Sequence, residues 1–204
     1  MNRKMDKNIT DVYVALLPEG ECDVPLYPEE RDAYVKNTAN PTVRRERYFV
    51  WRLLEIAARH SLGLELSEIG LRREGERWTG KLADISLAHG GGALAVAISG
   101  APVGVDIELL SDGSDGDRLA ERFFNDAERA EYYAASEEER RLTSIRIWTA
   151  KEAIFKSQMS AVFAPSDMDS HSSRVHSSTL RLGDCDFVFS VASENEPTVH
   201  VVVL

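Results

Sequence analysis

The strongest constraint on the fold is the placement of two long helical segments among short apolar runs. An Asn-Pro pair at 40–41 supplies a helix cap and a proline at the first helical position, which predicts a helix over residues 41–62. A Ser-Glu-Glu-Glu capping box at 136–139 predicts a second long helix that ends near Met159. Each helix must bury its apolar stripe against neighbouring strands, so an α+β fold is indicated.

Short apolar runs separated by glycine, proline and polar residues predict the strands. The predicted strands lie at 12–17, 66–72, 83–88, 93–99, 103–109, 186–192 and 198–204, with shorter helices at 28–36, at 118–124 and from a capping box at 125–128. Glycine-rich segments at 90–92 and 100–102 indicate hairpin turns, and the polar segment at 164–178 indicates a loop. Because Pro197 separates the last two strands, we expect them to form a closing antiparallel hairpin.

The order of elements gives each half of the 204 residues one long helix and about three strands. The expected fold is therefore α+β with two similar fused halves, each a small, mostly antiparallel sheet packed on a long helix. We expect the halves at residues 1–101 and 102–204, forming one pseudo-symmetric unit with the active site between them.

Charge and composition exclude several classes of function. Lys and Arg number 24 against 34 Asp and Glu, which gives a formal net charge of −10. This balance argues against sequence-independent nucleic-acid binding and against anionic membrane surfaces. No run approaches the ~20 apolar residues of a membrane span, and no signal peptide is expected at the N-terminus. Two isolated cysteines, Cys22 and Cys185, favour a reducing, cytoplasmic setting.

The strand Gly-Val-Asp-Ile-Glu at 104–108 is the first motif with chemical meaning. Residues two apart on a strand share a face, so Asp106 and Glu108 present two carboxylates side by side. Oxygen ligands at this spacing suit Mg²⁺, which commonly takes one or two protein carboxylates together with substrate phosphates. The alternative is a half-exposed strand with an acidic solvent face.

Two further motifs flank this strand in the sequence. On the second long helix, Glu152 and Lys156 share a face because they are four residues apart, although such a pair is also an ordinary helical salt bridge. Before the strand, His89 could donate to a phosphate, and the three glycines after it would admit a ligand to the backbone. The alternative there is a plain hairpin turn. An α/β-hydrolase oxyanion hole would need a G-x-S-x-G elbow, which the sequence lacks.

Together these motifs resemble the phosphopantetheinyl transferases, which carry G-[VI]-D-[IV]-E and, some forty residues later, W-[ST]-x-K-E-[AS]-x-x-K. The matching segments are 104–108 and 148–156, with Glu152 46 positions after Asp106. Arg-Phe-Phe-x-x-x-Glu at 122–128 fits a helix start seen between them in the family, and 87–91 loosely fits the family's Ser-His-Ser-Gly strand end. The chain length suits the larger, monomeric class that activates carrier proteins of peptide, polyketide and fatty-acid synthesis.

The resemblance implies a role for each matching residue. Asp106, Glu108 and Glu152 would hold Mg²⁺ against the diphosphate of the substrate coenzyme A. Lys156, together with Lys151, would contact that diphosphate and stabilise the departing 3′,5′-ADP. Two further residues, His89 and Arg47, would contact phosphate groups of the coenzyme. Glu128 would be the base that takes the serine proton, or alternatively a helix cap.

As a whole, the resemblance implies Mg²⁺-dependent transfer of 4′-phosphopantetheine from coenzyme A to a serine of an acyl or peptidyl carrier protein. It also implies a cytoplasmic monomer whose first half recognises the coenzyme and whose second half carries the metal site and catalytic helix. The family's Gly-Lys-Pro segment at the adenine site has no clear counterpart at 75–78. Two alternatives therefore stay open: a relative that binds coenzyme A or a carrier without transfer, and a Mg²⁺-dependent phosphohydrolase.

Overall fold

A computed structural model describes residues 4–75, 77–111, 115–158 and 162–204, and within these ranges the chain forms nine strands and five α-helices. The strands are β1 (Thr10–Leu16), β2 (Leu71–Glu74), β3 (Arg77–Gly80), β4 (Asp84–Gly90), β5 (Ala93–Ser99), β6 (Gly104–Leu109), β7 (Val175–Leu182), β8 (Cys185–Ala192) and β9 (Thr198–Val201). The helices are α1 (Glu29–Lys36), α2 (Pro41–Leu62), α3 (Gly116–Phe123), α4 (Asp126–Ala134) and α5 (Glu137–Ser157). None of these helices is long and apolar enough to cross a membrane.

The strands form two main sheets and a separate hairpin. The first sheet has the order β4-β5-β1-β9, the second has the order β6-β8-β7, and β2 pairs with β3. All pairings are antiparallel except that of β9 with β1, which is parallel. Helix α2 packs against the first sheet and helix α5 against the second. The α+β class is therefore confirmed, whereas the similarity of the two halves and their division at residue 101 stay predictions.

Alternating side chains on β5 explain the layering. Leu94, Val96 and Ile98 join the core beneath α2, whereas the small side chains at 93, 95 and 97 (all alanine) face the second sheet. Period-two alternation sends successive residues to opposite faces, so a strand with apolar residues on both faces is buried on both. The layers are consequently α2, the first sheet, the second sheet and α5.

The same alternation on β6 separates packing from chemistry. Val105 and Ile107 belong to the core between the two sheets, with exposed fractions of 0% and 1%. Gly104, Asp106 and Glu108 therefore face the opposite side, where α5 packs. The core contacts of β6 thus direct both carboxylates toward the second long helix.

The predicted caps of the long helices are confirmed. Asn40 accepts hydrogen bonds from the backbone N–H groups of Thr42 and Val43, and α2 ends at Gly63 in the left-handed conformation, with φ of 65°. The capping boxes that begin α4 and α5 are both complete. These local signals determine the helix boundaries within a residue or two of the predicted ones.

Several strand predictions are wrong because these strands pair with segments that lie far away in the sequence. The last two strands do not form a hairpin: β8 pairs with β6 and β7, while β9 crosses to the first sheet and pairs with β1. The predicted strand at 66–72 is replaced by the β2–β3 hairpin at 71–80, and the predicted loop at 164–178 already contains the start of β7. The segment at 100–102 is a crossover between sheets, whereas 90–92 is the predicted hairpin turn.

Three glycines allow β6 to approach its neighbours closely. A Cβ on Gly104 would lie 1.9 Å from the carbonyl oxygen of Ala153 in α5. On the other side, a Cβ on Gly90 would lie 2.6 Å from the carbonyl oxygen of Ile107, and one on Gly91 would lie 2.3 Å from Cβ of Leu109. Strand β6 is therefore held at backbone contact distance by both α5 and the β4–β5 turn.

We expect Gly104→Ala to lower the free energy of unfolding by about 1–3 kcal/mol or more, because the added methyl group must separate β6 from α5. Urea unfolding followed by circular dichroism measures the change. Gly63→Asn is the control, since a side chain there meets nothing within 4 Å and asparagine tolerates the left-handed conformation. Equal stability of Gly104→Ala and wild type would contradict the close approach.

Candidate active site

The chemistry-bearing residues of β6 and α5 meet where the strand packs against the last two turns of the helix. The Lys156 ammonium lies 2.7 Å from Oδ1 of Asp106 and donates to the carbonyl oxygen of Val105 at 3.2 Å. Glu152 lies one helical turn before Lys156, on the same face of α5. The structure thus brings Lys156 to Asp106 across the gap that Gly104 leaves.

The carboxylate cluster (Asp106, Glu108 and Glu152) is short of positive charge. Burial and the neighbouring carboxylates of Asp106 and Glu152 together raise the pKa of Glu108 to about 7, against the opposing charge of Lys156. Burial also raises the pKa of Asp106 and of Glu152, with Lys156 again opposing. Among the described residues, Oδ2 of Asp106 is buried and has no hydrogen-bond partner. The cluster therefore has unused acceptor capacity beside a single ammonium.

The three carboxylates are neighbours but are not within 4.8 Å of one another. In the described part of the chain, a different group meets that spacing: Glu128, Asp169 and His171. Glu128 is already paired with Lys151, which supplies its counter-charge, so this second group offers a cation fewer free negative charges. The assignment of Asp106, Glu108 and Glu152 as metal ligands stays a prediction.

His89 borders the carboxylate cluster at the end of β4. Its Nδ1 atom lies 3.1 Å from Oε2 of Glu46 on α2, an arrangement that fixes the orientation of the ring. Burial lowers the pKa of His89; Glu46 opposes this shift, and the charges of Lys156 and Arg47 add to it. A Cβ on the adjacent Gly90 would lie 2.9 Å from Oε2 of Glu108, so only glycine fits between this turn and the carboxylate.

An arginine cluster (Arg31, Arg47 and Arg73) surrounds one aromatic ring on the same side as His89. The three guanidinium carbons lie 5.3, 4.7 and 5.4 Å from the ring centroid of Tyr34. Arg31 is buried, donates to the carbonyl oxygen of Arg47 at 2.7 Å, and has a pKa lowered to about 10 by burial, with the charges of Arg47 and Arg73 adding to the shift. Three neighbouring cations favour an anion with more than one charge.

Glu128 and Lys151 form a separate pair, with no hydrogen bond or ion pair to the other predicted site residues among those that the structure describes. Their side chains are fully buried and form an ion pair at 2.7 Å. Lys151 also donates to the carbonyl oxygens of Pro165 and Met168, and Glu128 accepts from the backbone N–H of Ser170. Their charges compensate each other inside the protein, and the roles of Lys151 at a diphosphate and of Glu128 as a base stay predictions.

Of the two readings of Glu128 from the sequence, the helix cap is the one the structure supports. Its Oε2 atom accepts from the backbone N–H of Asn125 at 2.8 Å, while the Asn125 side chain accepts from the N–H of Glu128. The pair with Lys151 then joins the start of α4 to the middle of α5 and to the segment at 165–170.

The segment that carries β6 and α5 matches a known family. Residues 102–201, just under half of the chain, match the family model described as the 4′-phosphopantetheinyl transferase superfamily. Over these residues the chain is similar to this superfamily. Asp106, Glu108, Glu152 and Lys156 all lie within the matched residues, whereas His89 and the arginine cluster lie before them.

Two relatives from Bacillus subtilis match part of the chain. A 4′-phosphopantetheinyl transferase is 27% identical over 119 residues, which cover 56% of this chain and 52% of the relative. The 4′-phosphopantetheinyl transferase ffp is 31% identical over 94 residues, which cover 46% of this chain and 40% of the relative. The chain therefore spans about half of the length of the first relative and less than half of the second.

Four residues beside the superfamily motifs were not predicted from the sequence: Arg31, Arg73, Glu46 and Arg77. Arg31 and Glu46 belong to charged helices whose other polar residues are solvent-exposed or half-buried, so their sequence context resembles an ordinary helix surface. A signal did exist for Arg31, because α1 is otherwise acidic in its first turn and carries this one arginine there. The other three depend on tertiary contacts that local patterns do not encode.

We expect a double-mutant cycle at Glu128 and Lys151 to show strong energetic coupling between the two side chains. Lys151→Met or Glu128→Gln alone leaves one charge buried and unpaired, which costs about 3–5 kcal/mol of stability. The double variant is expected to cost less than the sum of the single variants, as measured by urea unfolding. Arg181→Met, at an exposed pair with Asp186, is the control with a cost below about 1 kcal/mol. Additive effects at the buried pair would contradict the coupling.

We expect Glu108→Gln to stabilise the cation-free protein at pH 8. The folded protein retains the Glu108 proton up to about pH 7, whereas the unfolded chain releases it near 4.5, so wild-type stability falls across this interval. The variant does not lose stability in this way, so its free energy of unfolding at pH 8 should exceed that of wild type by about 1–2 kcal/mol, after allowance for partial solvent screening.

The stability difference should vanish below pH 4.5, where both folded and unfolded Glu108 are protonated. Urea unfolding in the presence of a chelator, at several pH values, measures the curve. Glu74→Gln changes an exposed carboxylate and serves as the control. A Glu108→Gln variant no more stable than wild type at pH 8 would refute the raised pKa.

Proposed function

We propose that this protein transfers 4′-phosphopantetheine from coenzyme A to a serine hydroxyl of an acyl or peptidyl carrier protein. The observation that carries the proposal is the meeting of Asp106 and Lys156 within the segment that matches the superfamily. The activity of the two relatives, as their names give it, supports the same reaction class. We further propose that the chain acts as a cytoplasmic monomer built of two fused halves.

The carboxylate cluster fits a bound Mg²⁺ ion. Oδ2 of Asp106 is a buried acceptor without a partner, and burial and like charges raise the pKa of Glu108 to about 7, so a bound cation would stabilise the ionised carboxylates. Carboxylate oxygens are the ligands that Mg²⁺ prefers. Asp106, Glu108 and Glu152 would hold the ion, which supplies charge neutralisation at a diphosphate.

The two clusters of opposite charge suit the two anionic parts of coenzyme A, its diphosphate and the 3′-phosphate of its nucleotide. The arginine cluster and His89 would bind the phosphate groups of the nucleotide end, where several negative charges lie close together. Lys156, beside Asp106, would stabilise the negative charge that develops on the leaving 3′,5′-ADP. We thus assign contact with the coenzyme phosphate groups to Arg31 and Arg73 as well as to Arg47.

The bond changes of the proposed reaction are those of a phosphoryl-type displacement. The serine oxygen of the carrier forms a bond to the phosphorus that bears pantetheine, and the bond from that phosphorus to the oxygen of 3′,5′-ADP breaks. The serine proton is released to water. Such reactions gain most from positioning and charge neutralisation, which are the contributions that the charged clusters can make.

The test is to incubate the protein with coenzyme A, Mg²⁺ and several apo carrier proteins and to measure carrier mass. We expect each carrier to gain the mass of one phosphopantetheine group. For Asp106→Ala we expect the rate of this transfer to fall about a thousandfold or more. Asp184→Ala, at an exposed turn, is the control. No mass gain on any carrier would refute the transfer and favour a relative that only binds, whereas release of nucleotide without a carrier would favour a phosphohydrolase.

A further inference from the structure

Arg77 joins the two polypeptide segments that carry the proposed active-site residues. It is the first residue of β3, and its Nη1 atom donates to the carbonyl oxygen of Lys156 at 2.5 Å, at the end of α5. Its Nη2 atom lies 2.5 Å from Oδ2 of Asp84 and donates to the carbonyl oxygen of Val103 at 3.2 Å, immediately before β6. One guanidinium therefore contacts both the strand of Asp106 and the helix of Lys156.

Asp84 completes the junction from β4. The Oδ2 atom that accepts from Arg77 also accepts from the backbone N–H of Val103 at 2.8 Å. The Arg77–Asp84 pair thus binds both the N–H and the C=O group of the residue that leads into β6. Because only about a fifth of each side chain is exposed, these hydrogen bonds are shielded from competing water.

The contact at the end of α5 has a physical reason of its own. The last four carbonyl groups of a helix lack intrahelical partners and carry partial negative charge. The carbonyl of Lys156 is one of them, and Arg77 satisfies it with a charged donor from outside the helix. The last turn of α5, from which the Lys156 side chain extends, is thereby held at a defined place relative to β6.

We propose that Arg77, anchored by Asp84, is a positioning residue that sets the Lys156 ammonium against Asp106. The planar fork of arginine can donate to Asp84, Val103 and Lys156 at once, which a lysine ammonium on a flexible stem does less well. The effect of Arg77 passes through the backbone of residues 103 and 156, and its side chain need not touch a substrate.

The deciding measurement is the acetylation rate of individual lysines, read by peptide mass spectrometry in the absence of coenzyme and carrier. The Lys156 amine is paired with Asp106 and about a quarter exposed, Lys151 is fully buried, and Lys36 is largely exposed. We expect Arg77→Gln to raise the rate at Lys156 by about threefold or more relative to Lys36, with Lys151 still unmodified. Arg181→Gln is the control and should change neither rate.

Two outcomes would overturn the proposal. An unchanged rate at Lys156 would show that Arg77 does not hold it, and a joint rise at Lys156 and Lys151 would show general loss of structure instead of local positioning. If circular dichroism shows that Arg77→Gln does not fold, Asp84→Asn decides by the same criteria, because it weakens the anchor while Arg77 still carries its charge.

A second measurement rests on the proposed transferase function. On a carrier that the wild-type protein modifies, Arg77→Gln should have a kcat about tenfold lower than wild type, while its KM for coenzyme A changes by less than about threefold. Arg77→Lys should recover part of kcat. If kcat does not fall, or falls only in proportion to the loss of folded protein, Arg77 does not position Lys156. Absence of transfer by wild type would contradict the proposed function alone, since the acetylation rates are measured without substrates.

Discussion

The structure depends on how closely β6 can approach its two neighbours. Gly104 lets α5 lie against the strand, and Gly90 and Gly91 let the β4–β5 turn lie against its other end. Any larger side chain at these positions would separate elements whose backbones are in direct contact. The approach brings Lys156 to Asp106 and His89 to the edge of the carboxylate cluster. Close packing at glycine thus brings ionisable side chains of β6, α5 and β4 together at one place.

Two clusters of opposite sign lie side by side, and this resolves the apparent conflict between the net charge and an anionic ligand. The overall charge of −10 describes the whole surface, whereas the arginine cluster concentrates three cations around Tyr34. Burial and mutual repulsion penalise each cluster in the absence of a ligand: the pKa of Arg31 is lowered to about 10, and that of Glu108 is raised to about 7. A ligand that is anionic at one end and carries a divalent cation at the other would relieve both penalties.

Local sequence signals predicted the helices well and the sheet connections poorly. Caps at 40–41 and 136–139 act through neighbouring backbone groups, so they could be read from the sequence alone. The partner of β9 could not, because a four-residue strand carries no local mark of the strand it pairs with. At the site, motif spacing singled out Asp106 and Lys156, which the structure brings together, whereas the burial of Lys151 depends on carbonyl groups at 165 and 168 that only the folded chain brings near.

The parallel pairing of β9 with β1 also orders events during synthesis. Strand β1 lies near the start of the chain, and its partner is made only when residues 198–201 emerge from the ribosome. Until then one edge of the first sheet stays open, with its backbone groups available to other chains. Contacts so distant in sequence slow folding. The nascent chain therefore passes through a period in which chaperone protection of that edge would be most valuable.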